Sequence, residues 1–417
     1  MPTRSTKAGC AEPLRPSARV ILVCMRRLLI APVAAAAVLV VTACQPTLEL
    51  TAADLPDASI AQIGLVEAIT KNAPIDRPIV VHVDHGRLTD VEVTQGPSRV
   101  IKGEFSNDGR TWTSTRAYLD FDSTYSISAT AVDPRGQTTT LEEKIRTVDP
   151  DGFLTATPSM EAGSEFGVGM PLTVNFDEAV KDRAAVEEAM IVRTPTPVEG
   201  AWYWTGPTQA IYRPKNYWPG NIDIELDLDL RGVEASPGLW GESNSRTLYR
   251  TTDSVVMEAD AQTLMMKVFI NGKKERTIPV TMGMDGYETL SGTKLIMTKE
   301  RTRIMDNATA GVSEDDPDHY RVKVDYAMRL TWHGEFLHAS PWAAGAWGNR
   351  RISHGCTSMS LDNAGWLFSV TNIGDPIEIT GTPLKQNPGN GITVWNISWD
   401  DWLKKSATGG HMTSPEV

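Results

Sequence analysis

A mainly β chain, built as two β-sandwich domains followed by a third β-rich domain with a short helix, is what this sequence predicts. Three observations carry that reading. At 417 residues the chain exceeds what one compact core holds, so two or three domains are expected. Short alternating apolar runs recur from about 58 to 250, separated by turn residues at the spacing of sandwich strands. Apolar residues at 41% and charged residues at 22% fit globular protein rather than long disorder. The net charge of −12 argues against a general nucleic-acid or polyphosphate binder, which needs a basic footprint. Only the N-terminal region has an apolar run approaching membrane length, so the chain does not read as a polytopic membrane protein.

Residues 1–43 read as an address. Arg26 and Arg27 precede the apolar run Leu28–Val41, which is too short for a comfortable span and has the length of a signal core. The run ends Val41-Thr42-Ala43-Cys44, which resembles a bacterial lipobox. That resemblance implies a lipid on Cys44, cleavage before it, and export to the outer membrane face toward the cell wall or periplasmic space. An ordinary secretory peptide is the other reading, and the specificity of the pattern favours the lipobox. Met25 is a possible alternative start. Loss of residues 1–27, six basic against one acidic, takes the net charge from −12 to −17. Residues 44–57 are polar and suit a tether.

The first sandwich is expected over 58–149, with strands such as Ile79–Val83, Asp90–Val93 and Tyr125–Ala129 and turns at Asn107–Gly109 and Asp133–Gly136. Asp149-Pro150-Asp151-Gly152 marks the boundary to a second, over 150–252. There Ile222–Leu228 alternates strictly and is expected to bury one face. Trp202, Trp204 and Trp218 could form a carbohydrate platform, but aromatics in such strands more often fill a core or an interface.

The third domain is expected over 253–382. Leu264–Ile270 runs into Asn271-Gly272, a strong hairpin signal, with Thr277–Met282 returning. Further strands are expected at Lys294–Met297, Tyr320–Val324, Met328–Trp332 and Pro376–Thr380, and a helix at Asp362–Phe368. Residues 383–417 form an extension whose run Trp395–Leu403 is too aromatic for a free tail and is expected to fold back on the third domain. Met412–Val417 is expected to be disordered.

Of four cysteines, Cys10 and Cys24 precede or enter the signal and Cys44 is the lipidation candidate. Cys356 is then alone in an exported protein and is a candidate reactive thiol; the alternative is a small buried apolar residue. Its surroundings favour chemistry. His338 is followed by 14 residues and then Ser353-His354-Gly355-Cys356-Thr357-Ser358. A histidine titrating near neutrality supplies the base that a thiol needs. A glycine permits a tight turn, whose backbone N–H groups can hold an oxyanion. These residues make a physically complete acyl-transfer site.

The arrangement His-x14-Ser-His-Gly-Cys resembles the signature of the L,D-transpeptidases, cysteine enzymes that form 3→3 cross-links in bacterial peptidoglycan. Met305-Asp306, Gly311-Val312, Tyr320-Arg321 and Val324-Asp325 resemble the substrate lid of the multidomain lipoprotein members. Leu337–Trp342 resembles their histidine-bearing strand end, and the tryptophan-rich run at 395–402 their C-terminal element. The resemblance implies two immunoglobulin-like sandwiches before the catalytic domain. It implies that Cys356 is the nucleophile and His338 the general base, oriented by the backbone carbonyl of Ala339. It further implies that His354 supports the cysteine loop and that backbone N–H groups at Gly355 and Cys356 hold the oxyanion. Tyr320, Met305 and Trp342 would line the donor pocket, with Ser353 and Ser358 beside the substrate. Donor and acceptor stem peptides are the implied partners, carbapenems the implied inhibitors, and no cofactor is implied.

One residue departs from the pattern. The family usually has Asn where this chain has Ser358, which is shorter and offers one donor instead of two, so the site is expected to be weakened. A zinc site from His333, His338, His354 and Cys356 is the first rival, but no metal motif is present, and an odd separation puts His333 and His338 on opposite faces of a strand. The same acyl-enzyme attacked by water gives an L,D-carboxypeptidase, and attachment of another protein to the wall is a variant with a different amine. A weakly active or non-catalytic wall-binding lipoprotein is the remaining alternative.

Overall fold

A computed structural model describes residues 58–310, 313–315 and 319–415. The expected signal, Cys44 and the tether lie outside them, as do Gly311 and Val312 of the lid. No helix among the described residues is long and apolar enough to cross a membrane.

Two four-stranded antiparallel sheets form the first sandwich: 62–65, 80–84, 111–114 and 103–105 against 99–101, 87–95, 124–132 and 138–146. Alternation does the work here. In Thr124–Val132 every second residue is buried, and Tyr125, Ile127, Ala129 and Ala131 meet Val81, Val83 and Trp112 in one core. The tight turns at Asn107–Gly109 and Asp133–Gly136 join strands, as expected from their residues.

The second sandwich has its own core, and Trp202, Trp204 and Trp218 belong to it, at 4%, 3% and 1% exposure. The carbohydrate-platform alternative therefore falls. The alternating run does not bury one face only. In the strand Asp223–Leu228, Glu225 and Asp227 are buried as well. Arg193 and Arg246 account for it: their Nε atoms donate to the two Asp227 oxygens at 2.8 and 2.9 Å. Paired charges let a formally polar face lie under cover.

The third domain contains two sheets. One is ordered β3-β2-β1-β9-β4, from β1 (Val255–Asp260), β2 (Met265–Ile270), β3 (Lys273–Pro279), β4 (Gly292–Leu295) and β9 (Pro376–Thr380). The other runs β5-β6-β7-β8, from β5 (Thr298–Asp306), β6 (Arg321–Arg329), β7 (Phe336–Ala339) and β8 (Thr357–Met359). Helix α1 (Leu361–Val370) packs on β6, β7 and β8, and Ser360 Oγ caps it by accepting from Asn363 N at 3.2 Å. Asn271 and Gly272 adopt φ of 49° and 78° in the β2–β3 hairpin, the left-handed pair that Asn-Gly tolerates. The two strands expected at 320–324 and 328–332 are replaced by one continuous strand, β6, which ends at Arg329; the left-handed Tyr326 (φ 57°) does not interrupt its pairing with β5.

The C-terminal extension starts on the third domain but does not stay there. Asn396 brackets Thr293 with two bonds of 2.8 Å. The chain then crosses to the second sandwich: Trp395 Nε1 donates to Gly169 O at 2.7 Å, and Trp402 Nε1 to Ala201 O at 3.0 Å. His411–Met412 adds a strand beside Glu199–Gly200. The expected fold-back on the third domain holds for Asn396, but the Trp395 and Trp402 indoles of this strap find their partners on the sandwich. Met412, expected to be disordered, pairs in a strand, while Glu416 and Val417 lie outside the described residues. Backbone contact reinforces the strap, since Gly167 N donates to Ile373 O at 2.7 Å and Gly169 N to Gly374 O at 3.0 Å.

Candidate active site

Strand β7 is buried along its whole length and delivers His338 to a cavity at its C-terminal end. Its parallel neighbour β8 begins immediately after Cys356 and pairs His338 with Ser358, so the strand register brings histidine and cysteine loop together. The cavity, of about 260 Å³, is lined by His338, Cys356, Ser353, His354, Ser358, Met305, Tyr320 and Trp342. Eight of the residues singled out in the sequence thus converge on one space. A smaller apolar hollow of the first sandwich, of about 190 Å³ and lined by residues such as Leu65, Ile69 and Leu119, bears no chemistry-carrying cluster.

The turn Ser353–Cys356 is stapled from within. Ser353 Oγ donates to Cys356 O at 2.6 Å and accepts from Gly355 N at 3.3 Å. The Ser353 hydroxyl thus holds the turn together, while the residue also lines the cavity. Gly355 sits at φ +115°, a region that other residues avoid, and its carbonyl accepts from Thr289 Oγ1 at 2.8 Å. Ala339 is fully buried, and its carbonyl accepts from His338 Nδ1 at 2.8 Å. With the proton on Nδ1, Nε2 is the basic nitrogen.

Electrostatics set the resting protonation. Burial pushes the Cys356 thiol up to about 12, against small opposing effects of a backbone bond and of Lys294 and Arg329. Burial also holds the His338 imidazole down to about 4, with the Ala339 bond opposing. The pair is neutral thiol and neutral imidazole at rest. The thiol points to Gly334 O at 3.6 Å.

Around them, Met305 (8% exposed) joins Cys356 in a small apolar cluster, with Tyr320 against it. The His354 ring is exposed and lies between Tyr287 and Tyr320, with ring centroids at 4.5 and 5.1 Å. Trp342 is 59% exposed and its ring parallels that of His338 at 6.3 Å. His333 lies in a turn before β7, so the strand-face argument against a zinc set does not apply to it. Among the described residues no His, Cys, Asp or Glu cluster is arranged to hold a metal ion.

Sequence reasoning missed four participants. Ser340 and Trp347 form a hydrogen-bonded chain with Ser358, and the buried pair Lys294–Glu335 lies beside the cysteine loop. A lysine leading directly into the apolar run Leu295–Met297 was the available signal.

Comparison with known proteins agrees with this geometry. A family described as "L,D-transpeptidase catalytic domain" matches residues 254–379, and one described as "Bacterial Ig domain" matches residues 70–234, across both sandwiches. The chain is 32% identical to L,D-transpeptidase 2 of Mycobacterium tuberculosis over 84% of its own length and 87% of that protein. It is 30% identical to L,D-transpeptidase 5 of the same organism, over 79% and 73%. A solved L,D-transpeptidase, LdtMt1 in complex with imipenem, is 31% identical over 55% of this chain and 99% of its own, with a TM-score of 0.46. The chain is an acyltransferase that belongs to the L,D-transpeptidase family, with immunoglobulin-like sandwiches before its catalytic domain.

Proposed function

We propose that the protein forms 3→3 cross-links between diaminopimelate residues of peptidoglycan through an acyl-enzyme on Cys356. The observation that carries the reading is the shared cavity of Cys356 and His338, with His338 Nδ1 committed to Ala339 O. When a tetrapeptide donor enters under Met305 and Tyr320, the sulfur attacks the carbonyl of the third stem residue. The thiol proton passes to His338 Nε2 as the S–C bond forms. Backbone N–H groups of the Gly355 turn hold the oxyanion. The C–N bond to the terminal D-Ala breaks, and its amine takes the proton from the imidazolium. The side-chain amine of a second diaminopimelate then attacks the thioester and gives a proton to His338, and sulfur leaves as the thiol. A thiolate serves as both nucleophile and leaving group, which this two-step path requires.

Carbapenems should acylate the same thiol, because a strained lactam carbonyl is an activated analogue of the donor amide. Anchoring at the outer membrane face through a lipid on Cys44 completes the proposal, and Cys44→Ala should then release the protein from membranes or leave the precursor uncut. The deciding experiment is incubation with a disaccharide-tetrapeptide and mass analysis of the products. A dimer with loss of D-Ala is expected, and it should disappear in Cys356→Ala. Tripeptide alone would mean a carboxypeptidase, and unchanged substrate a binding module.

A further inference from the structure

Lys294 and Glu335 form an ion pair that no step above uses. The Lys294 side chain is fully buried, and its Nζ bonds Glu335 Oε2. Burying an ion pair gives little net stability, and apolar residues of similar volume usually serve a core as well or better. Its location therefore carries the information. Glu335 directly follows Gly334, whose carbonyl the Cys356 thiol faces at 3.6 Å, and leads into β7 three residues before His338. Its other oxygen, Oε1, accepts from Leu290 N at 2.8 Å. The neighbouring Thr289 spans two partners: its Oγ1 donates to Gly355 O at 2.8 Å and accepts from Gly283 N at 2.9 Å. The pair thus ties the segment that grips the nucleophile turn to the strand that carries the base. Glu335 Cγ also lies 3.8 Å from where a Cβ on Gly355 would sit, so the carboxylate end abuts the turn.

We propose that Lys294 and Glu335 are a positioning pair for Cys356: they pin the Thr289–Leu290 segment under the cysteine turn and so hold the sulfur in place. The inference rests on the reading of Cys356 as the nucleophile. Other groups act on the sulfur too. Arg329 on β6 draws charge toward it, Tyr320 faces it from the lid, and His338 faces it from β7. Of the pair, Glu335 raises the thiol's proton affinity more than Lys294 lowers it. The net effect is to oppose a standing thiolate, which is the form open to adventitious alkylation and oxidation.

The test separates holding from charge. In the full-length chain, Glu335→Gln keeps an acceptor for Leu290 N but removes the negative charge. Alkylation of Cys356 by iodoacetamide, followed on its own tryptic peptide, should then become at least tenfold faster at pH 7. The double variant Lys294→Met with Glu335→Met replaces the pair with apolar volume and should fold with unchanged circular dichroism. It removes the acceptor for Leu290 N, so acylation of Cys356 by a carbapenem should slow at least fivefold even though iodoacetamide reacts faster. A folded double variant with the wild-type acylation rate and the wild-type alkylation profile would overturn the inference. The iodoacetamide profile reads the thiol directly, so it decides the point even if the wild-type chain proves unable to cross-link stem peptides, a result that would count against the proposed function instead.

Discussion

Ser340 Oγ donates to Ser358 Oγ at 2.8 Å, and Trp347 Nε1 donates to Ser340 Oγ at 3.1 Å. Ser340 and Ser358 line the cavity, yet they are 1% and 2% exposed. Ser358 is thus both packed and hydrogen-bonded, with Ser340 directly against it. The expectation that serine weakens the site therefore meets a competing one, the cost of fitting a longer amide into this packed position. Overpacking a filled site costs about 1–3 kcal/mol of stability, so Ser358→Asn should melt earlier, and the displaced cysteine loop should slow carbapenem acylation. Adding Ser340→Ala should restore part of the loss by making room. Stopped-flow acylation rates check this, and a faster single variant would refute it.

The protonation pattern predicts two distinct pH profiles. With the thiol pushed up to about 12 and the imidazole held down to about 4, no ion pair stands at rest. Alkylation by iodoacetamide follows the thiolate fraction, so it should rise about tenfold per pH unit through the neutral range without a plateau. Acylation assisted by His338 follows the neutral imidazole, so it should fall as pH drops toward about 4. The effect on stability has the matching sign. The histidine's lowered value contributes stability that is present above its ordinary 6.5 and is lost as pH falls toward about 4. The cysteine's raised value contributes stability present below its ordinary 9.0 and lost as pH rises toward about 12. An alkylation plateau between pH 6 and 8 would show a standing thiolate and overturn the neutral pair.

Much of the fold was legible because local signals agreed with tertiary ones. Alternation placed Tyr125, Ile127 and Ala129 in the first core, and Asn271-Gly272 placed a hairpin. The convergence of His338 and Cys356 was legible from motif spacing alone. The rest depended on partners far away in sequence. Glu225 and Asp227 looked solvent-facing until Arg193 and Arg246 covered them. The destination of Trp395–Leu403 was misjudged because an aromatic run states that it must be buried, not against what. Lys294 and Glu335 stand 41 residues apart, and nothing local to either says that they meet.

The strap predicts a large packing effect far from the chemistry. Trp402 is fully buried, stacks on Tyr203 with centroids 4.5 Å apart, and lies under the Arg213 guanidinium at 4.6 Å. Arg213 also faces Trp395 and Trp399, so three indoles share one cation. Trp402→Ala should cost about 3–5 kcal/mol through the cavity it leaves. Calorimetry should show an early transition in the second sandwich. Loss below about 1 kcal/mol would mean that the strap contributes little to holding the two domains together.

Gly355 gives the sharpest separation between fold and chemistry. Its φ of +115° is hostile to an L side chain, while the space around it is open, with the nearest atoms to an added Cβ at 3.8 and 3.9 Å. Gly355→Ala therefore meets no clash, and only the backbone resists, at a cost of about 1–3 kcal/mol. The turn has an outlet for that strain: it can relax by giving up the long Gly355 N–Ser353 Oγ bond of 3.3 Å and the Thr289 bond to Gly355 O. Relaxation moves the sulfur and the N–H groups that hold the oxyanion, and removing one such donor typically costs about 100-fold in rate. The variant should melt only a few degrees lower yet acylate at least 100-fold more slowly. The thiol should remain alkylable, because its burial is little changed. Wild-type acylation in a folded Gly355→Ala protein would show that the oxyanion is held elsewhere.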